Sequence, residues 1–256
     1  MANVVALGFD IGSSTAKLVG VTADGKLAFH RIEPTEPRIE DQATRMLAEA
    51  RAALGGGALP VVATGYGRKL IPGADRAVTE ITCHARGVWE AMGTPGTLVD
   101  VGGQDSKVIV VGAEGRVANF AMNDKCAAGT GRFLEVTAAR LRIPIDEIGA
   151  VSLSTKKSVP ISSTCTVFAE SEIISLLAHG EHVENILHGL HRSLVSRLVA
   201  MVRGVQPRAP YMLSGGVARN GALRAFLAES LGSEVLVPAE PQLMGAYGAA
   251  LLVRHG

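Results

Sequence analysis

One pattern occurs twice in the chain and restricts its fold more than any other feature. A buried strand ends in an aspartate, a short turn of glycines and polar residues follows, and the next strand carries a lysine, first over Asp10–Lys17 and again over Asp100–Lys107. A third strand follows each pair after another tight turn. Two successive units of this kind predict a duplicated α/β fold, in which each half is a mixed sheet covered by helices. We expect the halves to span residues 1–94 and 95–256.

Hydrophobic periodicity places the individual elements. The predicted strands are 4–9, 16–22, 26–31, 61–64, 97–101, 106–111, 117–122, 211–214 and 234–237. The predicted helices are 39–54, 79–92, 129–141, 166–179, 183–203, 218–231 and one from about 244 onward. Each half thus begins with three successive strands.

The composition indicates a folded protein without a strongly charged binding surface. Hydrophobic residues make up 47% of the 256 residues, and 25 basic residues balance 24 acidic ones to a net charge of +1. Neither nucleic acid nor an anionic membrane is therefore expected as a partner. No apolar run approaches the roughly 20 residues of a membrane span, and Met1–Phe9 lacks the basic leader of a signal peptide. We expect a cytoplasmic protein with reduced thiols.

The first repeated turn has the chemistry of a phosphate-binding loop. Its candidate residues are Asp10, Gly12, Ser13, Ser14, Thr15 and Lys17. Backbone N–H groups of small residues can close on an anion, and the hydroxyl groups add donors. Taken alone, the segment is equally well explained as an ordinary hairpin turn.

The second turn repeats the arrangement, which favours the phosphate interpretation for both. Asp100, Gly102 and Gly103 correspond to the first turn, and Gln104 or Asp105 could orient an attacking water. Two such loops can hold the β- and γ-phosphates of a nucleotide, with each aspartate holding Mg²⁺ through water.

A third glycine-rich segment lies between a predicted strand and a helix. Gly215, Gly216 and Val217 would let an adenosine lie against the backbone, although the segment alone could be a tight connection. The three segments together resemble the superfamily of actin, sugar kinases and heat-shock chaperones. That resemblance implies two mixed-sheet halves around a nucleotide cleft.

Two cysteines each precede a predicted helix. Cys126 and Cys165 would lie near helix N-termini, where partial positive charge lowers the pKa of a thiol and stabilises a bound anionic cluster. Buried packing is the alternative role for such residues. A 4Fe-4S cluster needs four thiolates, so a two-fold dimer would supply each cysteine twice. Cys83, inside a helix, is expected only to pack, and no histidine has zinc-like spacing.

Several segments carry a more specific resemblance. They are Gly65–Arg68, Val78–Ile81, Val99–Lys107, Asn123–Glu135, Cys165–Ser171 and Ser214–Val217. Through them the chain resembles the ATPase activators of 2-hydroxyacyl-CoA dehydratases, which are similar to the ATP-binding subunits of benzoyl-CoA reductases. The resemblance implies an oxygen-sensitive dimer in which Cys126 and Cys165 hold one shared 4Fe-4S cluster.

The same resemblance implies the reaction and its partners. ATP binding and hydrolysis would move the helices that lead to the cluster, which receives electrons from ferredoxin or flavodoxin and reduces an iron-sulfur dehydratase or reductase. ATP or ADP and Mg²⁺ would occupy the three loops, with weaker candidates for nucleotide contact at Gly129, Thr130, Gly131 and Gln242. Whether the two chains of the dimer are identical remains open.

Two other functions fit the phosphate loops. A small-molecule kinase of the superfamily would use Asp10, Asp100 or Asp105 as the base for an acceptor hydroxyl. A nucleotide-dependent regulator or chaperone-like module would need no chemistry at the cysteines. An iron-sulfur cluster would exclude both.

Overall fold

The apolar segments predicted as strands form two five-stranded mixed sheets in the computed structural model. The structure describes residues 3–124, 127, 129–161 and 166–255, so that Cys126 and Cys165 lie outside the described residues. The chain divides into two compact units. The first comprises Met1–Pro95, Val111–Ala118 and Gln242–Gly256, and the second comprises Gly96–Val110 and Asn119–Pro241. The division into 1–94 and 95–256 stays a prediction about the duplicated halves.

The first sheet has the strand order β3-β2-β1-β4-β5. Its strands are β1 (Val4–Ile11), β2 (Thr15–Thr22), β3 (Leu27–Pro34), β4 (Val61–Thr64) and β5 (Arg76–Ala77). β1 pairs antiparallel with β2 and parallel with β4, which places Asp10 beside Lys17 on one side and Thr64 on the other. The two residues of β5 are too few to give a periodic signal, and the sequence did not predict them.

Three helices belong to the first unit: α1 (Ile39–Ala53), α2 (Glu80–Met92) and α8 (Met244–Leu251). Successive strand residues point to opposite faces. Leu7, Phe9 and Ile11 of β1 therefore join the apolar core that contains α1, whereas Gly8 lies against the backbone of α8. The sheet is covered on both faces, which explains why β1 is almost entirely buried.

The second sheet has the order β10-β9-β6-β7-β8. Its strands are β6 (Gly96–Val101), β7 (Ser106–Val111), β8 (Val117–Asn123), β9 (Tyr211–Ser214) and β10 (Val235–Leu236). Its helices are α3 (Gly131–Leu141), α4 (Ile148–Leu153), α5 (Thr166–Ala178), α6 (Val183–Gly204) and α7 (Gly221–Leu231). β6 runs parallel to β9, with Asp100 opposite Ser214. The observed elements agree with the predicted α/β class.

Two predicted helix starts in this unit were wrong, and one helix was not predicted. α3 begins at Gly131 rather than 129, and the six-residue α4 was not predicted. α7 begins at Gly221 rather than 218, because Gly216–Arg219 form a separate 3-10 turn and Asn220 caps the helix by accepting a hydrogen bond from the Leu223 N–H at 3.1 Å. In the part of the chain that the structure describes, no helix is both long and apolar enough to cross a membrane.

Candidate functional site

The first aspartate hairpin joins β1 and β2 in the first unit. Asp10 is the buried penultimate residue of β1, and Lys17 on β2 places its Nζ 3.3 Å from Asp10 Oδ2. The turn between them closes through a hydrogen bond from the Gly12 N–H to the Thr15 carbonyl at 3.1 Å. Ser13 is exposed, and Ser14 and Thr15 are half-buried. The hairpin thus combines a buried carboxylate with a turn whose hydroxyl groups can reach a ligand.

Two glycines enclose the carboxylate of Asp10. Gly65 follows β4 with a φ of +86°, and a Cβ there would collide with Asp10 Oδ1 and the Ile11 carbonyl. Gly245, in the first turn of α8, lies so close that a Cβ would be 3.0 Å from Asp10 Oδ2. A side chain at either position would displace the carboxylate. These contacts fix where Asp10 can point.

The second aspartate hairpin joins β6 and β7 and is more deeply buried. Lys107 Nζ lies 2.7 Å from Asp105 Oδ2 and 3.5 Å from Asp100 Oδ2. The Ser214 hydroxyl donates a hydrogen bond of 2.6 Å to Asp100 Oδ1. The Gly102 N–H donates to the Asp105 carbonyl at 2.9 Å and closes the turn. Two carboxylates therefore face one lysine, which leaves a local excess of negative charge that suits a cation such as Mg²⁺.

The start of α3 is held against this second turn. The Gly131 N–H donates to the Gly102 carbonyl at 2.8 Å, and the Arg132 N–H donates to the Gly103 carbonyl at 2.7 Å. Thr130 is buried, and its hydroxyl donates to the Ala127 carbonyl at 2.7 Å. The structure thus brings the weaker candidate Gly131 to the second aspartate hairpin, with Thr130 next to it in the chain, whereas Gln104 is exposed on the hairpin.

The glycine turn after β9 lies next to the same elements. Gly215 has a φ of +88°, and a Cβ there would collide with the carbonyl of Val101. Val217 Cγ2 lies 3.0 Å from the position that a Cβ of Gly131 would occupy. Gly216 and Val217 begin the 3-10 turn that precedes α7. The second turn, the start of α3 and the proposed adenosine segment are therefore neighbours in one unit.

Behind this glycine turn lies a buried polar chain. The Asn220 amide is 3.0 Å from His191 Nε2, and His191 Nδ1 is 2.8 Å from the Leu187 carbonyl. Burial lowers the pKa of His191 to about 4. The ring is therefore neutral at pH 7, with Nδ1 donating to Leu187 and Nε2 accepting from Asn220.

The remaining candidates are Gln242 and the three cysteines. Gln242 is half-buried in the 3-10 turn Pro241–Leu243 of the chain. Cys83 is fully buried in α2. Burial raises the pKa of its thiol to about 12, despite the Thr64 hydroxyl beside it, so the thiol is protonated at neutral pH. The described residues contain no group of three or more His, Cys, Asp or Glu side chains placed to hold a metal; both candidate ligands, Cys126 and Cys165, lie outside that part of the chain.

Sequence reasoning missed three residues that surround Asp10. They are Gly65, His84 and Gly245, of which Gly65 had been quoted only as part of a resemblance. A glycine directly after a strand was a usable signal, because strand ends in such sheets carry binding residues. Nothing in the apolar sequence of α8 marks Gly245, and His84 lies in an ordinary helical pattern. Their proximity to Asp10 depends on tertiary packing.

Comparison with known proteins places the chain in a family. The model of the BadF/BadG/BcrA/BcrD ATPase family matches residues 7–253. The activator of lactoyl-CoA dehydratase from Anaerotignum propionicum is 40% identical over 252 residues, covering 96% of this chain and 95% of that protein. The solved activator of the 2-hydroxyisocaproyl-CoA dehydratase from Clostridium difficile, with bound ADPNP, matches with a TM-score of 0.88 at 39% identity, covering 96% of this chain and 93% of that one.

Two further structures define the fold. Component A of the (R)-2-hydroxyglutaryl-CoA dehydratase from Acidaminococcus fermentans has a TM-score of 0.90 at 38% identity, and 96% of each chain is covered. A ROK family glucokinase from Streptomyces griseus has a TM-score of 0.61 at 16% identity over 98% of this chain and 100% of that one, a likeness of fold alone. The predicted actin, sugar-kinase and chaperone-like class is confirmed. The chain belongs to the BadF/BadG/BcrA/BcrD ATPase family.

Proposed function

We propose that this protein is an ATP-dependent electron donor that activates a 2-hydroxyacyl-CoA dehydratase or a related CoA-ester reductase through a 4Fe-4S cluster. The observation that carries the proposal is the pair of buried Asp–Lys hairpins, in a chain whose relatives include dehydratase activators. ATP hydrolysis follows from the family. Its coupling to electron transfer is the proposed step.

The residues at the hairpins suit a nucleotide with Mg²⁺. Asp10 and Asp100 are buried carboxylates whose positions are fixed by neighbours, and a metal ion held there neutralises charge on the phosphates. The hydroxyl groups of Ser13, Ser14 and Thr15 and the Gly103 amide offer donors to phosphate oxygens. Asp105 is engaged with Lys107. We therefore assign the orientation of the attacking water to the exposed Gln104, with Asp105 fixing Lys107.

The number of candidate thiolate ligands suits a cluster shared by two chains. Cys165 directly precedes α5 in the sequence, and Cys126 precedes α3 by five residues. The burial and the raised pKa of Cys83 leave two candidate thiolates per chain, so four require a second copy. When bound, the cluster supplies one-electron chemistry. The chain contributes the ligands and, on nucleotide binding, a change in their surroundings.

A rearrangement driven by ATP can lower the reduction potential of the proposed cluster enough to change which acceptors it can reduce. For one electron, a tenfold change in equilibrium corresponds to about 59 mV. A conformational change that favours the oxidised form by several kcal/mol therefore makes the cluster a stronger reductant by a few hundred millivolts. Such a donor can be charged by ferredoxin or flavodoxin and still reduce an acceptor of lower potential.

Anaerobic purification tests the proposal directly. Iron and acid-labile sulfide are measured in the wild type and in Cys126→Ser, Cys165→Ser and Cys83→Ser. We expect about four iron atoms per dimer, lost in the first two variants and kept in the third, which serves as the matched control. Wild-type protein that holds no iron even after anaerobic reconstitution would contradict the electron-donor function, and phosphoryl acceptors would then be screened.

A further inference from the structure

We propose that His84 is a positioning residue that holds the carboxylate of Asp10 for ATP hydrolysis. The inference rests on the nucleotide-binding part of the proposed function and adds a residue that no phosphate loop contains. His84 lies on α2, is 7% exposed, and belongs to the same unit as Asp10. It acts on the carboxylate and does not contact the reacting phosphate.

His84 and Asp10 both lie against the backbone of Gly245. A Cβ built on Gly245 would lie 2.7 Å from His84 Nε2 and 3.0 Å from Asp10 Oδ2. The imidazole and the carboxylate therefore pack against the same point of the α8 backbone. The missing side chain at 245 is what lets both groups approach.

Lys17 alone does not fix the orientation of the carboxylate. Its Nζ lies 3.3 Å from Asp10 Oδ2, at the long end of an ion-paired hydrogen bond. Gly65 limits the space around Oδ1, and His84 limits it around Oδ2. A carboxylate that binds a metal through water must keep its orientation to within a fraction of an ångström, which the imidazole helps to secure.

The backbone around His84 is rigid enough for this role. A Cβ on Gly248 would collide with the Cys83 carbonyl, and a Cβ on Gly87 would collide with the Met244 carbonyl. Helices α2 and α8 therefore touch backbone to backbone on both sides of His84. The position of His84 relative to Gly245 is set by this crossing and not by adjustable side chains.

The test compares His84→Leu with His84→Gln. Leucine keeps the bulk but removes the polar atom, whereas glutamine places an amide near the position of Nε2. We expect His84→Leu to lower kcat for ATP hydrolysis about tenfold with KM for ATP changed less than about threefold, and His84→Gln to stay within about threefold of wild type. The exposed His30→Ala is the control and should match wild type.

A second readout requires no turnover. Binding of ADPNP is measured with and without Mg²⁺, and we expect the Mg²⁺-dependent gain in affinity to shrink about tenfold in His84→Leu, while Mg²⁺-free binding is unchanged. Gly245→Ala should behave as His84→Leu. The three atoms nearest to the added methyl group all belong to the side chains of His84 and Asp10, and alanine favours the helix, so we expect this variant to fold even if His84→Leu does not.

Wild-type kcat and Mg²⁺ dependence in a folded His84→Leu or Gly245→Ala would overturn the positioning role. An equal loss of kcat in His84→Gln and His84→Leu would also overturn it, because it would indicate that His84 acts only through packing. Both measurements are independent of the cysteines. Absence of iron would refute the electron-donor function but would not affect the positioning role of His84. Wild-type behaviour of the His84 and Gly245 variants would refute the positioning role but would not affect the electron-donor function.

Discussion

The two aspartate hairpins share a sequence pattern but differ in how their charges are held. In the first, Lys17 pairs with one carboxylate and its side chain is 14% exposed. In the second, Lys107 is 3% exposed and faces both Asp100 and Asp105. The difference shows that a duplicated motif keeps its shape while its electrostatics diverge. The first hairpin sets one carboxylate against one lysine, and the second sets two carboxylates against one lysine.

The neighbouring parallel strands extend this contrast. Thr64 lies beside Asp10 and Ser214 beside Asp100, at equivalent register positions. Ser214 donates a short hydrogen bond to its aspartate, whereas Thr64 lies beside the thiol of Cys83. Equivalent hydroxyl groups therefore serve different neighbours. The following predictions test whether this difference is energetic as well as geometric.

Removing the lysine of the second hairpin should lower the free energy of unfolding more than removing the lysine of the first. Lys107→Met removes the cation that faces the buried Asp100 and the half-buried Asp105, and we expect a loss of about 3 to 5 kcal/mol in the free energy of unfolding. Lys17→Met, at a more exposed pair with one carboxylate, should lose about 1 kcal/mol. Urea denaturation of both variants measures the comparison. Equal losses would show that the two hairpins are energetically equivalent.

Acid should destabilise the protein through the polar chain of the second unit. The pKa of His191 in the folded protein is about 4, against an ordinary value of 6.5 for histidine, so the unfolded state takes up a proton first as pH falls. Stability is therefore complete above pH 6.5 and is lost between 6.5 and 4, by about 2 kcal/mol from pH 7 to pH 5. Urea titrations at both pH values should show this loss, and His191→Gln should reduce it. An unchanged pH dependence in that variant would assign the loss to other groups.

Removing the hydroxyl group at the end of the neighbouring strand should also cost more stability beside the second hairpin, at Ser214, than beside the first, at Thr64. Ser214→Ala removes a hydrogen bond to a buried carboxylate and should cost about 1.5 kcal/mol. Thr64→Val keeps the shape at a site where the hydroxyl does not support Asp10, and should cost less than about 0.5 kcal/mol. Thermal or urea denaturation checks both. A larger loss for Thr64→Val would reverse the assignment of the two hydroxyl groups.

The smallest expected effect concerns the exposed hydroxyl of the first turn. Ser13→Ala removes one of several donors to phosphate and should weaken ADPNP binding about threefold. Gln104→Ala on the second turn should leave ADPNP affinity unchanged and lower only the rate of hydrolysis. Calorimetric binding and steady-state kinetics separate the two results. Weaker binding in Gln104→Ala would show that both turns bind phosphate in the ground state.

Local features of the site could be predicted, and tertiary ones could not. Asp10, Lys17, Asp100 and Lys107 lie within hairpins whose partners are close in sequence, so alternation and turn residues were sufficient. The enclosure of Asp10 depends on Gly245, at the other end of the chain. No local pattern distinguishes that glycine from any other small residue in an apolar helix. The start of α7 was placed three residues early because its strand-to-helix connection contains a 3-10 turn.

The crossing of α2 and α8 also affects how the protein can be made. Glycine weakens an isolated helix by about 1 kcal/mol relative to alanine, and these two helices place Gly87, Gly245 and Gly248 at their contact. Neither helix is well suited to persist alone, and α8 is synthesised long after the strands it covers. Until residues 244–251 have been synthesised, the face of the amino-terminal sheet that α8 covers therefore lacks this cover.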